Sequence, residues 1–284
     1  MKTRQTSHRG VALVAVLWLV AALSLIITGI VQAVRVEVRS ATAQRQALVA
    51  GALADAAILL VLQDFDAQIK EPRSAIQVIP VQFEGRVFEV SVQPLNGFID
   101  LNNASVQLLA EMYRYAAGLS PAAAQALAQA TVDTRQRKDA KGAAQGFDAI
   151  EDLMRVPAMT YDLYAKISPL VTAVLKGGGG RVNPMAAPVD VLQILTAGDA
   201  ARAAGLAAGR SADLKLVDTS FLRPEQIEMT SSSSLQLQVQ VDLPDGGSLQ
   251  KTWQVLRDND PRSGLPWRVL GMQRSTQRLA LPSN

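Results

Sequence analysis

VALVAVLWLVAALSLIITGIVQAV, residues 11–34, runs for 24 positions without a formal charge. As an α-helix it spans roughly 36 Å at about 1.5 Å per residue, enough to cross a hydrocarbon layer of about 30 Å. Lys2, Arg4 and Arg9 precede it with no acid among them, and Arg35 and Arg39 follow it alongside Glu37. The basic leader favours a cytoplasmic N-terminus and an exported remainder, a bias that Arg35 and Arg39 weaken. A secretory signal peptide has an apolar core of only about 7–15 residues ahead of small residues at the cut. Val31-Gln32-Ala33 mimics such a site, but the run is too long for one. A plain signal anchor fits the length.

Helical spacing continues beyond Arg35 without a proline. Leu48, Ala52, Ala56 and Leu59, flanked by Val49, Leu53 and Leu60, lead towards Phe65 and Ile69. Arg39, Gln44, Arg45, Asp55 and Gln63 fall largely between these positions. One helix is therefore expected from about Val11 to about Ile69, apolar all round in its first half and amphipathic in its second.

Composition excludes much. The 284 residues are 49% hydrophobic and 19% charged, and contain no cysteine. Disulfides, thiolate zinc sites, iron–sulfur clusters and a cysteine nucleophile are excluded together. The single histidine is His8, so a chain cut after Gly10 has none, which removes Ser-His-Asp chemistry and histidine-ligated metals. Of 28 basic side chains three lie in the leader, and without them 25 face 25 acids. Overall charge therefore gives no reason to expect nucleic-acid binding. No P-loop and no G-x-G-x-x-G after a strand occurs, so no enzyme is expected.

After Glu71-Pro72 the period changes to two. Ala75 to Pro80 is a short apolar run, and Phe88, Val90 and Val92 alternate with Glu89 and Ser91. Leu235, Leu237, Val239, Val241 and Leu243 alternate with Gln236, Gln238, Gln240 and Asp242. Pro244-Asp245-Gly246-Gly247 supplies a turn, Leu249 to Leu256 returns, and a last strand is expected around Trp267 to Met272. Between the strand groups lie an Ala-rich helix (Pro121 to Thr131), a surface loop (Arg135 to Gly146), a helix pair (Phe147 to Leu175), a glycine linker (Gly177 to Gly180) and a second Ala-rich stretch. The expected class is α+β: a long N-terminal helix packed on a small antiparallel sheet, with a large all-α domain inserted between strands. The expected bounds are 1–10 leader, 11–34 membrane half, 35–70 amphipathic half, 71–95 and 231–284 sheet, and 96–230 insertion.

A weak internal repeat relates Ile99-Asp100-Leu101-Asn102-Asn103-Ala104-Ser105-Val106-Gln107-Leu108-Leu109 to Val182-Asn183-Pro184-Met185-Ala186-Ala187-Pro188-Val189-Asp190-Val191-Leu192. In each, a polar turn leads through Ser or Pro into an apolar helical stripe, so the Asn residues are read as holding turns and caps. Asn103-Ala104-Ser105 also fits a glycosylation sequon but is read as a helix start.

The junction Gly10-Val11, where a short basic leader meets the apolar run, resembles the type III signal that prepilin peptidase cuts after the glycine. Gly97-Phe98-Ile99-Asp100-Leu101-Asn102, the stretch Phe147-Asp148-Ala149-Ile150-Glu151-Asp152-Leu153-Met154-Arg155-Val156-Pro157-Ala158-Met159-Thr160, Arg181-Val182-Asn183-Pro184 and Asp190 to Leu195 follow in order. Together they resemble the minor pseudopilin K family of type II secretion systems (general secretion pathway protein K). The resemblance implies cleavage between Gly10 and Val11, N-methylation of Val11, and a single-pass inner-membrane protein with a periplasmic main domain. It also implies a place at the pseudopilus tip, where the subunit helps to start assembly for export across the outer membrane. The implied partners are other minor pseudopilins, the major pseudopilin, prepilin peptidase, the assembly platform and membrane lipid, with no nucleic acid. Most pilins carry Glu at the fifth mature position; here that position is Ala15. A carboxylate at that depth costs about 2.5–3.5 kcal/mol or more when unpaired, and a topmost subunit finds no neighbour's amine above it, so Ala15 suits a tip.

The chain departs from the family at Asp133-Thr134-Arg135-Gln136-Arg137-Lys138-Asp139, where a Trp and several acids are usual. The resemblance makes calcium a possible cofactor, needing about six to eight oxygen ligands. Asp258-Asn259-Asp260 is the most oxygen-rich run, with Asp242 and Asp245 elsewhere, and no metal ligand is assigned. Two other functions compete. A minor pilin of a type IV pilus shares the leader and long helix. A membrane-anchored DNA-binding protein would use Leu153 to Lys166, which looks like a helix-hairpin-helix. Ala158 stands where such a hairpin needs Gly, and Glu151, Asp152 and Asp162 would repel phosphate.

Overall fold

The computed structural model describes residues 9–68, 74–138, 142, 144–175, 179–212, 217–258, 260 and 263–277. The leader up to His8, Ile69, Glu71-Pro72, Gly177 and Asn259 lie outside the described residues. Helix α1 (Arg9–Gln68) is continuous over 60 residues. Its second half buries one stripe, Ala50, Ala54, Ala57, Ile58, Val61, Leu62 and Phe65. Their spacing of three and four places them on one face. Each large member stabilises the packed state by about 1.5–3 kcal/mol relative to exposure.

That stripe lies on a five-stranded antiparallel sheet of β1 (Gln77–Phe83), β2 (Arg86–Pro94), β5 (Ser234–Asp242), β6 (Ser248–Leu256) and β7 (Arg268–Gln277), in the order β1-β2-β5-β6-β7. In the register, Leu237 stands between Val92 and Trp253, and Val239 between Val90 and Lys251. Leu235, Leu237, Val239, Val241, Leu249, Val255 and Trp253 thus form one buried face with α1. Strict alternation sends the Gln residues of β5 to the opposite face. Strands β2 and β5 are neighbours although some 140 residues separate them, with Pro94 opposite Leu235. The chain therefore leaves and re-enters the sheet at adjacent points, and the helical region between them is inserted without breaking the ladder.

The insertion has a core of its own, including Ile99, Leu101, Leu108, Leu109, Met112, Tyr113, Leu153, Ile167, Val191 and Leu192. Its helices are α2 (Val106–Tyr115), α3 (Pro121–Arg135), α4 (Tyr161–Ile167), α5 (Val189–Leu195) and α6 (Ala200–Ala212). The expected helix pair over Phe147 to Leu175 is only partly helical. Ile150–Arg155 is a short 3₁₀-helix, and this stretch leads into β4 (Val171–Thr172), which pairs in parallel with β3 (Ile99–Asp100). Arg135 ends α3 instead of opening a surface loop. Gly180 is more than a linker residue. It has φ +70, and a Cβ there would lie 2.0 Å from the Asn103 carbonyl oxygen.

The internal repeat is structural. Ile99 pairs in parallel with Val171, and Val182 bridges in parallel to Ile227. Ser105 caps α2 by accepting from Leu108 N, and Pro188 precedes α5. The helices that close the two units, α3 and α6, carry Arg135 and Arg210. Arg135 Nη1 donates to the Leu101 and Ala104 carbonyls, each at 2.9 Å. Arg210 Nη1 donates to the carbonyls of Pro184 and Ala187, the residues aligned with Leu101 and Ala104 in the repeat. Burial pushes both guanidinium pKa values down, and Asp100 partly offsets this for Arg135. Each arginine thus ties the end of a helix to the turn that opens its unit, satisfying carbonyls that would otherwise be buried unpaired.

Candidate functional site

The first half of α1 is the most unusual surface of the molecule. Among the described residues one helix is long and apolar enough to cross a membrane, and its apolar window has none of its residues buried in the protein. Leu17, Trp18, Leu25 and Val36 are each about two-thirds exposed or more. Two hydroxyls within this half are internally satisfied. Ser24 Oγ donates to Val20 O and Thr28 Oγ1 to Ser24 O, each at 2.8 Å. Such back-bonding lets hydroxyls sit in hydrocarbon, where an unpaired polar group costs several kcal/mol.

Ala15 lies on this bare segment and is exposed. Gly10 and Val11 are in the first turn of α1, where the Val11 side chain is outside what is described. The structure thus puts Gly10, Val11 and Ala15 on one helix end.

A polar clamp that sequence reading missed fixes the second half of α1. Asp55 accepts from Lys251 Nζ and, at 3.1 Å, from Trp253 Nε1, both on β6. Arg274 on β7 donates to the Ala47 carbonyl at 3.2 Å. Asp55 sits beside the buried Ala54, which was the available signal: an acid bordering an apolar stripe needs a partner.

The Asn residues hold turns, as expected. Asn102 Nδ2 donates to Phe147 O and Ala173 O, and its Oδ1 accepts from Phe147 N. Asn183, fully buried, donates to Ser74 O and Thr230 O and accepts from Met185 N. Asp100 accepts from Asn102 N and from Asn103 Nδ2, while burial raises its pKa above the usual carboxylate value.

Asp258 is held by Arg268 at 2.8 Å, and Asp260 accepts from Ser263 Oγ at 2.8 Å. Among the described residues no three acids, histidines or cysteines gather as a metal site. The hairpin considered for DNA has Ala158 at φ 67, the left-handed conformation that Gly adopts without strain. An L-residue there costs roughly 1–2 kcal/mol, so the hairpin keeps its shape at some expense. Its flanks remain acidic.

No family model matches the chain, and no curated protein matches it. Among solved structures, it is similar to a chain in the crystal structure of the GspK-GspI-GspJ complex from the enterotoxigenic Escherichia coli type 2 secretion system. The superposition has a TM-score of 0.50 at 16% identity and covers 84% of this chain and 99% of that one. The fold is GspK-like. A likeness at that identity speaks for the fold alone, here a long helix, an antiparallel sheet and inserted helices.

Proposed function

We propose that this chain is a minor pseudopilin at the tip of a type II secretion pseudopilus, a non-enzymatic subunit that helps to start assembly for export of folded proteins. One observation carries the reading: a single unbroken helix is bare and apolar over one half and packed on a sheet over the other. Such a rod holds a folded domain rigidly against a membrane and offers its apolar half to lipid or to sibling helices. The GspK-like fold supports partnership with other minor pseudopilins, since the solved relative sits in a complex with GspI and GspJ.

In this reading prepilin peptidase cuts Gly10–Val11, Val11 is N-methylated, and the protein stays a single-pass inner-membrane subunit with its main domain in the periplasm. Ala15 leaves the top of the bundle free of a carboxylate that no neighbour could pair. The domain bounds are 1–10, 11–34, 35–70, 71–95 with 231–284, and 96–230. Extraction in mild detergent with the neighbouring pilin-like subunits tests the assignment. Co-purification with secretion minor pseudopilins is expected. Co-purification with type IV pilus subunits instead would contradict it.

A further inference from the structure

The assembly role leaves unused the outer surface of the hairpin formed by Ile150–Arg155 and α4. In a 3₁₀-helix residues three apart eclipse, so Glu151 and Met154 share a face. Both are exposed, Met154 by 46%. On α4, Tyr161 and Tyr164 stand one turn apart with ring centroids separated by 6.2 Å, and Tyr161 is 73% exposed. The 3₁₀ segment and α4 pack against each other, which sets Glu151 beside the tyrosine pair. Burial first, then the charges of Glu151 and Tyr161, raise the pKa of the Tyr164 phenol.

The charge here is one-sided. Residues 147–166 hold Asp148, Glu151, Asp152 and Asp162 against Arg155 and Lys166. Both cations are turned to their own chain. Arg155 donates to Gly146 O at 2.9 Å and lies 3.3 Å from Asp152, while Lys166 Nζ reaches Ala117 O at 3.5 Å. Asp148, Glu151 and Asp162 have no ion-pair partner among the described residues. Exposed Tyr and Met beside unpaired carboxylates suit a cation: aromatic faces attract ammonium and guanidinium groups, and Met adapts to apolar neighbours. Phosphate would be repelled.

We propose that this surface docks a lysine- or arginine-bearing amphipathic segment of a protein partner. The cationic heads lie over Tyr161 and Tyr164 and beside Glu151 and Asp162, and the apolar side chains rest on Met154. This docking does not depend on the tip assignment, because the hairpin lies in the insertion, away from the bare half of α1.

The test uses the full chain in detergent micelles, titrated against a fluorescein-labelled alternating leucine–lysine decapeptide, with empty micelles as baseline. Saturable binding above baseline is expected, weakening as salt rises. The Tyr161→Ala/Glu151→Gln double variant should lose about tenfold in affinity with an unchanged thermal melt, since both side chains are exposed. Should that variant melt early, Asp162→Asn alone is expected to weaken binding about threefold. An alternating leucine–glutamate peptide and a short DNA duplex should not bind. No binding above baseline at low salt, equal binding by folded variants, or retention of the duplex would overturn the assignment.

Discussion

The two halves of α1 share one backbone conformation and very different surroundings. Around Leu25 every side of the helix is exposed, whereas around Ile58 one face is closed by the sheet and the opposite side stays open. Regular hydrogen bonding alone does not explain this contrast; what covers the apolar side chains does. Among the described residues, the sheet covers α1 from about Ala47 to Phe65, so the residues up to Val38 are left with an apolar surface that water does not tolerate in a lone helix. The first half therefore needs lipid or other helices, while the second stabilises the fold by itself.

The sharpest way to break this contrast is one substitution made in both halves. Ile58→Asp buries an unpaired carboxylate and should cost more than about 4 kcal/mol, abolishing cooperative thermal unfolding of the sheet region. Leu25→Asp should leave that unfolding unchanged and weaken membrane insertion by about 2.5–3.5 kcal/mol, read as protein released on carbonate washing. Equal loss of the melt in both would erase the distinction.

Next in size, Phe65→Ala should cost about 3–5 kcal/mol through its cavity, whereas Trp18→Ala should not shift the denaturant midpoint of the same region. Ala15→Glu should be felt in assembly and not in folding. A carboxylate placed there costs about 2.5–3.5 kcal/mol unless a neighbour pairs it, so recovery of the partner complex should drop while the melt holds. Unimpaired assembly would remove the reason for linking Ala15 to a tip. The smallest effect belongs to the clamp. Asp55→Ala strands Trp253 Nε1 and Lys251 and should cost about 1–2 kcal/mol by chemical denaturation.

Legibility followed the length of each pattern. The alternation from Leu235 to Leu243 marked β5, and the long apolar stripe marked α1, because both repeat over many residues. The two-residue strands β3 and β4 carry no period at all; Ile99 and Val171 meet only because the helices between them fold back. The 3₁₀-helix at Ile150–Arg155 looks α-helical in sequence because so short a segment fits either spacing. The repeat at Asn102 and Asn183 was legible as turn chemistry. Its closing arginines were not, since Arg135 lies 31 residues from the Ala104 carbonyl it binds and no local rule links them. The site was legible in one respect, the bare apolar half of α1. The Asp55 clamp needed the register of β6, and the tyrosine–glutamate surface needed the packing of α4 beside the 3₁₀-helix.

The central claim is that α1 begins, in the mature protein, as an apolar rod at Val11 and remains in the membrane. Intact mass and N-terminal peptide mapping of the protein extracted from native membranes test it most directly. The account predicts a chain starting at Val11 with one added methyl group on its amine. A chain that keeps Met1, or one that starts at Val34 and is released from the membrane, would contradict it.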